Sequence, residues 1–217
     1  MVYARYSRLV TLALGAVAAF GAGTAHAAIN LEWRSSSISV PVGSSFSIGL
    51  YAVSDDASSQ SLASVDAILD WNPALLKLTG ITNNSPYSWM SSNFPDDCAL
   101  DGLNGNAVCP SYTGLPANDG SAYYRSFRNF TAPAFATPAG LLVATFNFDA
   151  LAETPSAMLE IPGSVGTFTR SYIVDGFTAG LEVTGSLGSA KIEITPEPAS
   201  LLLVGLGALG LVRRRVR

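Results

Sequence analysis

Oxygen-bearing side chains crowd one short stretch of this sequence: Asp96, Asp97, Asp101, Asn104 and Asn106. Carboxylates and amides at such density suit calcium, a hard cation held by oxygen ligands. The spacing does not follow the EF-hand loop, and Asp and Asn also favour solvated turns, so calcium site and plain turn both stand as readings. Cys98 and Cys109 lie in the same Gly-rich stretch. In an exported chain an isolated pair is expected to form one disulfide that pins a loop, worth roughly 2–3 kcal/mol in the chain-entropy view. A redox or metal pair fits less well, because the spacing is not C-x-x-C and no further ligand type adjoins it. Tyr87, Trp89, Tyr112 and Tyr124, with Tyr123, form a candidate platform for sugar rings. Filling the core is the other use of such aromatics. Tyr123 and Tyr124 are neighbours in an expected strand and face opposite sides, so one of them is expected at the surface.

Hydrolytic chemistry has little to work with. Asp66 and Asp70 share one face of an expected strand, with backbones roughly 13 Å apart. Paired-carboxylate hydrolysis needs its groups about 5–9.5 Å apart, so both are expected to be solvent-facing charges. The one histidine, His26, falls inside an expected leader. Its removal leaves no Ser-His-Asp or Cys-His nucleophile and no imidazole metal ligand. No phosphate-cradling Gly-rich loop and no G-x-S-x-G elbow occurs. These absences lead to the expectation of a non-enzyme with no cofactor. The formal net charge is −4. Arg5, Arg8, Arg213, Arg214, Arg215 and Arg217 lie at the two ends, so the middle is more acidic than the total suggests. An acidic surface repels phosphate backbones, which argues against nucleic acid as a partner.

The elements that must position these residues are set out by hydropathy. Arg5 and Arg8 precede an apolar run from Leu9 to Phe20, and Ala25-His26-Ala27 offers small residues where signal peptidase reads them. This is a three-part secretory signal, with cleavage expected between Ala27 and Ala28. At the other end Pro196-Glu197-Pro198 precedes an apolar segment from Leu201 to Val212 and the basic stop Arg213-Arg214-Arg215. A helix over 199–212 spans only about 20 Å of a hydrocarbon core about 30 Å thick. Snorkelling arginines and local thinning can make up the difference, and the positive-inside rule keeps the arginines cytoplasmic. Three regions follow: a leader over 1–27, a domain over 28–194 and a tail over 195–217.

That tail resembles the PEP-CTERM sorting signal of Gram-negative bacteria, in its Pro196-Glu197-Pro198-Ala199-Ser200 motif, its Leu/Gly-rich run and its arginine cluster, all in order. The resemblance implies recognition by an exosortase in the inner membrane, processing near Pro196–Pro198, and delivery to the cell surface or the exopolysaccharide matrix. It says nothing of what the cargo domain does.

The middle alternates. Phe46, Ile48, Leu50 and Ala52 fall on every second position, as do Val65, Ala67, Leu69 and Trp71. A period of two means one face buried and the other wet. About nine or ten such runs without amphipathic helices predict an antiparallel, Ig-like β-sandwich. They are Ile38–Val40, Phe46–Val53, Leu62–Trp71, Leu75–Ile81, Tyr123–Phe130, Leu141–Leu151, Met158–Ile161, Thr167–Val174, Leu181–Thr184 and Ala190–Ile194. The stretch Asn83–Asp119, with four prolines, fits no regular strand and is expected to be a long insertion. Three pieces resemble cohesin-type domains: Ser39-Val40-Pro41-Val42-Gly43-Ser44-Ser45-Phe46-Ser47-Ile48, the hairpin Leu62–Leu78 with its Asn72-Pro73 turn, and Leu141–Phe148. Asn72 stands where that family usually carries Asp. The resemblance implies a non-catalytic sandwich; it implies a dockerin partner only weakly, because nothing here matches a dockerin. Adhesion or assembly is the first functional expectation, and binding of exopolysaccharide through the insertion's aromatics is the alternative.

Overall fold

A computed structural model of the chain describes residues 27–82, 91–93, 118, 120–128, 131–165 and 169–197. Residues 1–26 of the leader, the Cys98–Cys109 pair, the candidate calcium ligands, Tyr87, Trp89, Tyr112, Pro198 and the tail beyond it, with Arg213, Arg214 and Arg215, lie outside the described residues.

The described chain is all β. Fifteen strands follow one another: β1 Ile29–Arg34, β2 Ser37–Pro41, β3 Ser45–Ser54, β4 Gln60–Trp71, β5 Leu76–Thr82, β6 Ser91–Asn93, β7 Ser121–Phe127, β8 Ala134–Ala136, β9 Leu141–Ala150, β10 Thr154–Glu160, β11 Ser164–Val165, β12 Thr169–Arg170, β13 Tyr172–Asp175, β14 Thr184–Leu187 and β15 Ser189–Thr195. One sheet runs in the order β14-β1-β3-β9-β5. The other runs β2-β15-β10-β4-β7-β6, with β13 and β8 also pairing along β4, and β11 and β12 form a separate ribbon. The expected sandwich is therefore present. Most pairs are antiparallel, but β1 lies parallel to β14 and β2 parallel to β15. These two pairs join the start of the domain to its end, which chain distance does not forbid once both sheets exist.

The alternation read from the sequence is the alternation of burial. Ile48, Leu50 and Ala52 of β3 meet Val65, Ala67, Leu69 and Trp71 of β4 in a single core. Aromatic rings tie the layers together. Phe146 of β9 packs edge-on against Trp33 of β1 and Tyr124 of β7, with ring centroids 5.6 and 5.4 Å apart. Phe148 does the same with Trp71 at 5.5 Å. Such edge-to-face pairs are favoured by the ring quadrupoles beyond the area they bury.

β1 was not among the expected strands, although Ile29, Leu31 and Trp33 alternate and are buried. It lies inside its sheet, between β14 and β3. The run expected at Thr167–Val174 is divided between β12 and β13, and the last pairing before the final strand falls at Thr184–Leu187 rather than Leu181–Thr184.

Candidate functional site

Two places combine polar chemistry with position: the point where the chain leaves the sandwich, and the outer face of the larger sheet.

The exit is built by β15. Ala190, Ile192 and Ile194 are buried, while Lys191 and Glu193 alternate outward. The strand stays in register with β2 up to the pair Thr195–Pro41. The Thr195 carbonyl accepts from the Val42 amide at 2.8 Å, and the Thr195 hydroxyl donates to the Val40 carbonyl at 3.3 Å. Pro196 then ends the ladder, since proline has no amide hydrogen to donate. Pro196 and Glu197 are both exposed. A shallow cleft beside them is lined by Glu153, Thr154, Pro155, Glu193, Ile194 and Thr195. Glu153, Glu193 and Glu197 make this end of the domain negative.

On the outer face of the larger sheet, Asp66 of β4 stands between two register partners, Arg125 of β7 and Tyr172 of β13. The Arg125 Nε donates to Asp66 Oδ1 at 2.7 Å, and Nη2 donates to the Tyr123 hydroxyl at 3.0 Å. The guanidinium also lies over the Tyr123 ring, 5.4 Å from its centroid. Burial works against the Arg125 charge, but the hydrogen bond and charge of Asp66 outweigh it and move its pKa up. The Tyr172 hydroxyl donates to Asp66; that bond, followed by burial and the Asp66 charge, pushes its pKa up to about 12.

This corrects the expectation for Asp66. Its side chain is 2% exposed, not solvated, because Arg125, Tyr172 and their neighbours close over it. Asp70, by contrast, is exposed as expected. With two donors on it and no open approach, the Asp66 carboxylate orders strands and is not placed to abstract or deliver a proton to a substrate.

Tyr124 is likewise corrected. It is fully buried and faces Phe146, so it is not available as a ligand surface. Tyr123, its strand neighbour, faces the opposite side as the pleat requires, but it too is covered, under Arg125. The exposed aromatics of the described residues are others: Phe127, Phe135 and Phe177. Phe135 and Phe177 lie 6.1 Å apart, and Phe177 is 69% exposed. The turn carrying Phe177 is held by Asp175, whose carboxylate accepts from the Phe177 amide at 2.8 Å, the Thr178 amide at 2.6 Å and the Ser61 hydroxyl at 2.9 Å. Burial raises the Asp175 pKa, but these donors outweigh it and the net shift is downward. Sequence reasoning passed over Phe177, although a lone Phe in the Gly-bounded turn Asp175-Gly176-Phe177-Thr178-Ala179-Gly180 is a legible signal. Among the described residues no group of three or more His, Cys, Asp or Glu side chains is placed to hold a metal ion.

Residues 195–216 match the PEP-CTERM protein-sorting motif. No curated protein matches the chain in sequence. The sandwich is similar in fold to solved cohesin modules. One is the cohesin module of a family 33 glycoside hydrolase from Clostridium perfringens, with a TM-score of 0.50 and 12% identity over 79% of this chain and 99% of that one. Another is the third ScaC cohesin of Acetivibrio cellulolyticus, solved with the ScaB dockerin, with a TM-score of 0.50 and 10% identity over 76% of this chain and 96% of that one. The chain thus joins a PEP-CTERM sorting motif to a cohesin-like β-sandwich.

Proposed function

We propose that this is an exported, non-enzymatic surface or matrix protein, delivered by an exosortase through its C-terminal tail, with its sandwich serving protein assembly. The observation that carries this reading is the sorting motif itself, which starts on Thr195, the last residue of β15. Pro196 and Glu197 stand exposed at the foot of the domain, where a membrane-embedded enzyme can reach them. A leader removed at Ala27–Ala28 supplies the export step. The fold supports assembly as the role of the cargo, since the ScaC module is solved with a protein ligand. The surface best suited to such a contact is the rim that displays Phe127, Phe135 and Phe177. Exposed aromatics of this kind are what protein interfaces are rich in.

A polysaccharide ligand would rely on Tyr87, Trp89 and Tyr112, because Tyr124 is sealed in the core. No described residue favours that alternative. Calcium, if bound, belongs to the 96–106 stretch and not to the sandwich.

Mass spectrometry of the protein from a cell that carries an exosortase tests the reading. The expected product begins at Ala28 and lacks Arg217. Replacing Pro196 and Pro198 by alanine should leave the intact tail in the membrane fraction and reduce surface delivery at least about tenfold, a discrimination of about 1.4 kcal/mol. Unchanged delivery of this variant, or an intact Arg217 on the wild-type surface protein, would refute it.

A further inference from the structure

The first residue of the expected mature chain is tied to the turn after β3. The Ala28 nitrogen donates to Asp55 Oδ1 at 2.7 Å, and the Asp55 amide donates back to the Ala28 carbonyl at 3.0 Å. The pair extends the β1–β3 ladder one step past Ile29–Ser54. On the other side the Ile29 amide donates to the Val183 carbonyl at 2.7 Å. Ala28 therefore sits where β1, an interior strand of its sheet, is fastened on both flanks. The neighbouring carboxylate, Asp56, is engaged elsewhere, accepting from the Ala57 amide and the Ser58 hydroxyl.

In the uncut chain the Ala28 nitrogen is a neutral amide. Hydrolysis of the Ala27–Ala28 bond puts the oxygen of water on the Ala27 carbonyl carbon and releases the Ala28 nitrogen as an amine, which takes up a proton at neutral pH. The same atom, in the same place, then carries a positive charge opposite a carboxylate. The bond is already charge-assisted by the carboxylate in the uncut chain; the ammonium adds the direct attraction of opposite charges, a modest gain at an exposed site.

We propose that the Asp55 carboxylate is the receiving site for the N-terminal ammonium that leader removal creates at Ala28, so that processing during export tightens the fold. The proposal rests on the reading that the leader is cut at Ala27–Ala28. It gives Asp55 a role that begins only when the precursor has been cut, and it makes the mature domain more stable than the chain that crossed the membrane.

The test uses the processed protein recovered from an exporting host. Its mass first establishes the N-terminal residue. The α-amine is then acetylated near neutral pH, where α-amines in general react ahead of lysine side chains, in the wild type and in Asp55→Asn. Asparagine keeps the acceptor oxygen and the backbone amide and removes only the charge. Acetylation should lower the wild-type Tm by about 2 °C or more, the scale of one exposed ion pair in a domain of this size. It should lower the Asp55→Asn Tm by less than half as much. The wild-type amine should also react several-fold more slowly than that of the variant, since the ammonium is unreactive. In the wild type alone, the Tm loss should shrink in about 1 M salt, where charges are screened within about 3 Å; this arm holds even if the variant folds poorly. Equal losses and equal rates in the two proteins, or a loss indifferent to salt, would overturn the capture while leaving the leader reading intact. A mature chain that starts elsewhere than Ala28 would overturn both.

Discussion

On the outer face of the larger sheet, Asp66 of β4 is held from both sides, by Arg125 of β7 and Tyr172 of β13. Its carboxylate is buried with Arg125 and Tyr172 upon it, so removing a donor costs more than the pair itself contributes. Replacing Arg125 by leucine leaves an uncompensated buried charge and is expected to destabilise the domain by about 3 kcal/mol, read as a lower urea midpoint. Asp66→Asn, which retains an acceptor, should cost less than half of that. Tyr172 makes a separate prediction in alkali. Its pKa is raised from 10.0 to about 12 in the folded state. A raised pKa contributes stability that is complete below the unfolded value and is lost as pH climbs through the folded one. Stability should therefore decline between about pH 10 and 12, and Tyr172→Phe should flatten that part of the urea-midpoint profile. The sequence marked Asp66 as lying on the strand face opposite the core, which is correct. It did not reveal the cover, because Arg125 and Tyr172 reach Asp66 from strands distant in the chain, and only the register of three strands brings them together.

At the scale of elements, the long strands β3, β4 and β9 lie within two residues of where the pattern put them. β1 alternates just as well, but its six residues follow directly on the expected cleavage site, and the expected strands begin only at Ile38. β8 has only three residues, too short for any period to register. The turn into β7 illustrates a constraint that alternation cannot express. Gly120 has φ of +90°, its carbonyl accepts from the Trp71 amide at 2.8 Å, and a Cβ there would collide with the Trp71 carbonyl oxygen and the Pro73 ring. Gly120→Ala should cost at least about 2 kcal/mol, from strain at positive φ together with the displaced backbone, measured as a loss in Tm with the far-ultraviolet spectrum otherwise unchanged. Tyr124 belongs to the same lesson. The pleat correctly divided it from Tyr123, but which of the two met the core was settled by Phe146 across the sandwich.

For the molecule as a whole, the sorting motif was legible because it is a local string of composition and charge, while the pairing of Phe135 with Phe177 was not, because it is assembled from remote turns. One geometric consequence concerns β3. Its first residue lies beside the turn that meets Thr195 and Ala150, and its last pairs with Ile29. Ten extended residues separate those places, about 30 Å of strand. The start of β1 and the end of β15 thus lie at opposite poles of the folded body. A body held to a surface at both ends would lie along it. One held only beyond Thr195 would be free to stand upright, with the pole that carries Phe135 and Phe177 farthest from its mooring.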